Sequence, residues 1–216
     1  MKQVAGIWLP DWEARLVPGL EDRSQWVDGM ATYQHRKREA AFADVRRWRT
    51  AIDVGAHVGL WAMHLARRFR TVEAFEPLAV HRECFLKNVP MERVILHACA
   101  LGAETGGVAM RTAADSSGDS WVSGTGDMPL KRLDDVLPDV TDVDLVKVDC
   151  EGYELFVLQG AEALLTRCRP CVIVEQKRGK PAKYGLRDTE AVDYLKTLGA
   201  VCRDVIAGDY IMSWPA

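Results

Sequence analysis

From residue 50 onward the chain repeats one unit: an apolar run of strand length, a turn, then a longer stretch with apolar side chains at helical spacing. Strands are expected at 50–54, 71–75, 93–97, 143–148 and 171–175. Helices are expected at 58–69, 78–88, 152–166 and 188–198, with a short one at 130–137. The first is typical: Val58, Trp61, Ala62, Leu65 and Phe69 fall on one side. Such alternation requires parallel strands with crossover helices on both faces of one sheet, hence an α/β fold. The rhythm breaks at 99–130, which is rich in Gly, Ser, Thr and Asp. That stretch is too long for a plain connection and reads as a hairpin or functional loop, with strands near 108–111 and 120–123. At the end, 201–205 and 210–213 flank Ala207-Gly-Asp209 and read as a closing hairpin.

The 216 residues suit one domain over 50–216, preceded by an arm and helix over 1–49. Residues 1–31 have no clear period. Residues 32–48 read as a helix with Phe42, Val45 and Trp48 on one side. Its basic run, Arg36-Lys-Arg38 with Arg46 and Arg47, reads first as a solvated face and second as a site for an anionic substrate. The net charge of −3 gives no global field for nucleic acid or an acidic membrane. Neither a signal peptide nor a long apolar span is evident, so a cytoplasmic location with reduced thiols is expected. Of six cysteines only Cys168 and Cys171 are closely spaced. With no second pair to complete a zinc site, they read as packing residues rather than a metal or redox motif.

In open parallel sheets, ligands bind beyond the carboxyl ends of the strands. The turn Asp53-Val-Gly-Ala-His-Val-Gly59 lies there. Gly55 and Gly59 allow a tight turn and close approach of the backbone. A dinucleotide site would favour a further glycine at position 57, where this chain has His, and Asp53 would repel a pyrophosphate. Asp53 suits a cationic ligand instead, and S-adenosylmethionine carries both an ammonium and a sulfonium. Glu76 ends the second expected strand about 20 residues past Gly55, where an acid hydrogen-bonds a ribose diol. The alternative is a turn kept for helix packing, with Glu76 as a cap.

A second acidic motif, Leu145-Val-Lys-Val-Asp-Cys-Glu-Gly-Tyr-Glu154, brings Lys147, Asp149 and Glu151 to the end of a buried strand. Three ionisable groups there are costly unless paired or in contact with solvent or ligand. A structural arrangement is the alternative: a Lys147–Asp149 ion pair, with Glu151 favoured by the following helix dipole.

Asp53-Val-Gly-Ala-His-Val-Gly-Leu-Trp61, Ala74-Phe-Glu-Pro77, and Val146-Lys-Val-Asp-Cys-Glu-Gly-Tyr-Glu154 followed by Leu158-Gln-Gly-Ala161 occur in this order. Together they resemble the FkbM family of methyltransferases over about residues 50–176. The resemblance implies a Rossmann-like class I methyltransferase fold: a seven-stranded, mostly parallel sheet with one reversed strand, helices on both faces and a C-terminal antiparallel hairpin. It implies S-adenosylmethionine as methyl donor and a hydroxyl acceptor on a sugar or natural product. By motif match, Asp53, Gly55 and Gly59, with Ala56 and His57 between them, would hold the methionine part, and Glu76 with Pro77 the ribose. His97, at the end of the third strand, would line the adenine pocket together with Ala98 and Cys99, the alternative being a satisfied core histidine. Glu175, in Val172-Ile-Val-Glu-Gln176, matches the acid ending the next strand.

Methyl transfer to a hydroxyl needs alignment of oxygen, methyl and sulfur, and removal of a proton. Asp149 is the first choice of base and Glu151 the second. Lys147 would orient the acid or lower the acceptor's pKa, and Glu175 completes the catalytic group. A divalent cation shared by Asp149 and Glu175 is a different arrangement of the same residues. Trp121 would stack on a ring substrate or simply pack. N-methylation of protein or nucleic acid is the nearest rival, opposed by the absence of an Asn/Asp-Pro-Pro-aromatic tetrapeptide and of a basic composition. Nicotinamide chemistry is opposed by His57 and Asp53, and a non-catalytic nucleoside-binding domain is a third class.

Overall fold

The computed structural model describes residues 1–215. Its central sheet has seven strands: β1 (Thr50–Val54), β2 (Thr71–Phe75), β3 (Val94–His97), β4 (Val143–Val148), β5 (Cys171–Glu175), β6 (Val201–Ile206) and β7 (Asp209–Ser213). They lie in the order 3-2-1-4-5-7-6, with only β7 antiparallel to its neighbours β5 and β6. The other pairs are parallel. Strand order reverses between β1 and β4, so a cleft opens there at the carboxyl ends of both.

Six helices flank the sheet: α1 (His35–Ala43), α2 (Ala62–Arg68), α3 (Ala79–Asn88), α4 (Glu154–Gln159), α5 (Glu162–Cys168) and α6 (Glu190–Thr197). Successive residues of a strand face opposite ways, and β4 shows the consequence. Val146 and Val148 pack with Leu158, Leu164 and Leu195 on one face, whereas Leu145 packs with Leu65 and Phe69 on the other. Burying each such side chain contributes roughly 1.5–3 kcal/mol. Among the described residues no helix is long and apolar enough to cross a membrane.

Several elements differ from the sequence reading. The single helix expected over 152–166 is two, α4 and α5. The chain bends at Gly160, where a Cβ would lie 2.0 Å from the Gly102 carbonyl oxygen. Asp134 then caps α5, accepting from the Ala163 and Leu164 amides at 3.0 and 2.9 Å. The helix expected from residue 58 starts at Ala62, because the turn runs on through Gly59. The basic run of α1 is not a solvated face: Arg36 is exposed, but Lys37 and Arg38 are buried. Lys37 pairs with Asp209 at 2.7 Å, and Arg38 donates to Thr32 and to the Tyr33 carbonyl.

The arm that lacked a period holds a hairpin, Lys2–Val4 with Ile7–Leu9, and a short helix, Val17–Glu21. Its turn residues Ala5 and Gly6 both have positive φ, as a two-residue hairpin loop favours. Asn88 at the end of α3 pins it, accepting from the Trp8 amide at 2.7 Å and donating to the Trp8 carbonyl at 2.9 Å. The irregular stretch after β3 is a small sheet of Ala100–Leu101, Gly106–Thr112, Ser120–Thr125 and Met128–Lys131. Cys168 and Cys171 are free thiols directed at different carbonyls, those of Val140 and Ala41.

Candidate active site

The turn after β1 crosses to β2, where the Phe75 carbonyl accepts from the Gly55 and Ala56 amides at 3.1 and 3.0 Å. Gly55 has φ +74°, and a Cβ there would lie 2.0 Å from the Asp149 carbonyl oxygen. This glycine lets the ends of β1 and β4 touch. Gly59, at φ +91°, serves another purpose: a Cβ there would stand 2.3 Å from Val89 Cγ2 and 3.0 Å from Phe85, so it seats the turn on α3. It sits apart from the site cavities.

Asp53 also lies beneath the site rather than in it. It is fully buried, with Lys147 Nζ 3.0 Å from its Oδ1. Lys147 directs N–H groups to the Gly55 and Val54 carbonyls at 2.8 and 3.3 Å, and neither Asp53 oxygen has an aligned donor. Burial pushes the Asp53 carboxyl up, against the pull of Lys147. On Lys147 the burial penalty is outweighed by Asp53 and Asp149, which hold the ammonium charged. The alternative ion pair read from the sequence, Lys147 with Asp149, is thus replaced by Lys147 with Asp53.

Two cavities meet over this turn. The first has apolar walls including Phe75, Leu101, Met110 and Val122, with Glu76, Pro77, His81 and Cys99 also lining it. Glu76 is tightly held: its Oε2 accepts from the His57 amide and its Oε1 from the Leu78 amide, each at 2.8 Å, and His81 Nδ1 is 3.2 Å from Oε1. Burial pushes its carboxyl up, but the bonds from His81 and Leu78 outweigh that and keep it ionised. The other ring nitrogen of buried His81, Nε2, has no hydrogen-bond partner among the described residues. His57, at φ +52°, meets His81 edge to face, and burial lowers its pKa to about 3, so its ring is neutral. His97 stacks on Phe75 and bonds Glu73 at 2.7 Å, and Ala98 is exposed and outside the cavity lining.

The second cavity is lined by Tyr33, Ala56, Trp61, Lys147 and Lys177 among others. Gly55, His57, Gly118, Asp149 and Glu151 line both cavities and mark their junction. Glu151 sits at φ +58° in a turn fixed by Glu154, whose Oε1 accepts from the Cys150 and Gly152 amides at 2.9 and 3.0 Å. Oxygens of Asp149, Glu151 and Glu175 lie within 4.8 Å of one another. Lys180 contacts both Glu151 and Glu175, and Lys177 contacts Glu175, so two ammonium groups offset the charge of two of the three carboxylates. The two junction acids differ in consequence. Burial and then Glu175 raise Glu151 to about 7, whereas Lys147 and Lys177 outweigh burial at Asp149 and lower it.

Arm and small sheet close over the junction together. Buried Glu13 accepts from the amide and the hydroxyl of Ser117, both at 2.6 Å, and Ser117 Oγ lies 2.7 Å from His57 Nε2. Arg15 reaches Asp115 and Asp119 at 3.2 and 2.9 Å.

Residues 53–200 match the FkbM methyltransferase domain. The chain belongs to the FkbM methyltransferase family. Methyltransferase 1 of Beauveria bassiana is 27% identical, over 51% of this chain and 57% of that protein. A solved FkbM methyltransferase from Methylobacillus flagellatus KT is 19% identical, covering 77% of this chain and 44% of that one, at a TM-score of 0.48. The chain thus spans only about half the length of these relatives. Precorrin-6y C5,15-methyltransferase from Geobacter metallireducens GS-15 shares the fold at 13% identity, with a TM-score of 0.51 over 90% of this chain and 96% of that one.

Within this FkbM domain, Gly55, Ala56, His57, Glu76, Pro77, Cys99, Lys147, Asp149 and Glu151 line one or both cavities. Asp53, Gly59, Ala98 and Glu175 do not reach the lining. Trp121 lies on a neighbouring groove under Lys183, 4.4 Å from its ring centroid. Sequence reading missed Glu13, Arg15, Tyr33, His81, Ser117, Lys177 and Lys180. Only the lysines carried a signal: Lys177-Arg-Gly-Lys180 directly follows Glu175 and supplies its counter-charges.

Proposed function

We propose that this FkbM domain binds S-adenosylmethionine in the first cavity and transfers its methyl to a hydroxyl of a sugar or small natural product in the second. The observation that carries this reading is the junction: Asp149 and Glu151 stand where the cavities meet, where an acceptor hydroxyl must lose its proton. The first cavity suits a nucleoside, with apolar walls for a base and Glu76 and the open His81 Nε2 as hydrogen-bond partners for hydroxyls. The bound cofactor supplies an electrophilic methyl on a cationic sulfur. The protein's part is alignment and proton removal. Gly55 brings the backbone close, Glu76 and His81 hold the ribose hydroxyls, and Asp149 places a fixed negative charge beside the cationic cofactor. Glu151 is the general base, a reversal of the order read from the sequence, because a carboxyl near 7 has more proton affinity than Asp149. Lys180 positions it.

A labelled-methyl assay across cell-extract fractions, followed by identification of the product, tests the reading. Glu151→Gln is expected to keep cofactor affinity in calorimetry and to lose about 10²–10⁴-fold in turnover. A base works only when deprotonated, so wild-type turnover rises with pH through about 7, and that limb vanishes in the variant. Binding of NAD in preference to S-adenosylmethionine, or label on an amine, would overturn it.

A further inference from the structure

The mechanism uses the carboxyl ends of the strands and leaves their amino ends without a task. There, Arg46, Arg47 and Arg49 from the loop before β1, Arg169 from the loop before β5, and Arg203 on β6 line one pocket of about 310 Å³. Asp44 and Asp144 are the acids of its lining, so among the described residues the side chains give the pocket a local excess of three positive charges in a chain whose net charge is −3. Arg49 is committed to Asp144 through two side-chain bonds of 2.9 and 2.6 Å, and Arg203 donates to Ser213. Among the described residues, Arg46, Arg47 and Arg169 have no ion-pair or side-chain hydrogen-bond partner. Arg169 also holds the left-handed conformation, φ +47° and ψ +54°, at the end of α5, a place that favours glycine. That turn closes α5 and leaves the Arg169 side chain exposed at the pocket wall.

We propose that this arginine-lined pocket at the amino edge of the sheet is a second binding site, for a small oligophosphate anion. Guanidinium forks match phosphate oxygens in pairs, and several of them offset a charge that one carboxylate could not. The pocket is concave and of ligand size, which suits a compact anion rather than an extended nucleic-acid backbone. The strands separate it from the junction by roughly 15 Å, at about 3.3 Å per residue, so its occupant takes no part in methyl transfer.

The test is calorimetry of the full chain with sodium tripolyphosphate. Saturable one-to-one binding is expected, weakening as salt rises from about 20 to about 300 mM. Arg46→Ala/Arg169→Ala should bind at least about tenfold more weakly, and Arg46→Lys/Arg169→Lys should fall between, because charge survives but the fork is lost. Both pairs replace exposed side chains, and an unchanged melting temperature and circular dichroism spectrum would show the fold intact. No saturation by about 1 mM ligand, equal binding by the alanine variant, or tighter binding of a short RNA than of tripolyphosphate would each overturn the proposal.

Discussion

Replacing Lys147 by Met isolates the energetics beneath the site. Asp53 has no exposed surface, and Lys147, 3.0 Å away, is its sole ion-pair partner among the described residues. Removing the ammonium leaves a carboxylate in a dry interior, beside carbonyls of Gly55 and Val54 that have lost their donor. Breaking a buried pair from one side costs about 3–5 kcal/mol, whereas replacing both partners by apolar groups is often close to neutral. Lys147→Met should therefore lose about 3–5 kcal/mol in chemical denaturation at pH 8, and Asp53→Leu/Lys147→Met should regain more than half of it. The pH dependence has a definite sign. Without Lys147, burial and then the charges of Asp149 and Glu76 all act on Asp53 in the same direction, so its folded pKa rises well above the ordinary 3.8. The folded state then binds the extra proton, and the variant loses stability as pH rises through that value. The single variant should thus be more stable at pH 5 than at pH 8. A loss below about 1 kcal/mol, or a double variant no better than the single, would refute the pair as the reason for both residues.

Three further outcomes follow from particular contacts. Gly59→Ala should destabilise the fold by about 2–4 kcal/mol, through the clash with Val89 and the positive φ, while folded protein keeps its cofactor affinity in calorimetry. Glu13 is held below its ordinary 4.5: burial raises it, but the bonds from Ser117 and Leu16 prevail. That contribution is complete above 4.5 and is lost as pH falls, so limited proteolysis of the arm should accelerate below about pH 4 and, in Ser117→Ala, already at neutral pH. Methyl transfer should be unchanged by a chelator, because Lys180 and Lys177 neutralise the Glu151 and Glu175 carboxylates; a loss restored by magnesium would assign the cluster to a cation instead.

What the sequence revealed follows from what each interaction depends on. β1, β2, β4 and β5 have the expected bounds because strands buried on both faces are mostly apolar runs, interrupted here only by Asp53, Glu73, Asp144 and Lys147 and opened in β1 and β2 by a threonine. The acids at their carboxyl ends were visible for the same reason, as charges closing apolar runs. Boundaries failed where a distant backbone decides the matter, as at Gly160 against Gly102 or Gly59 against Val89. The arm hairpin escaped because three-residue strands are too short to show a period. Pairings such as Lys147 with Asp53, or Glu13 with Ser117, join segments up to about a hundred residues apart, and no local pattern encodes them.

The second cavity takes Arg15, Leu16 and Tyr33 from the arm, all upstream of the residue where the family domain begins. The rest of that lining, from Gly55 to Lys177, lies inside the family domain, so the cavity has one wall from the arm and the others from the sheet and its loops. If the second cavity seats the acceptor, as proposed, replacing the first 49 residues by those of a relative would recast that one wall and leave the strand-borne walls in place.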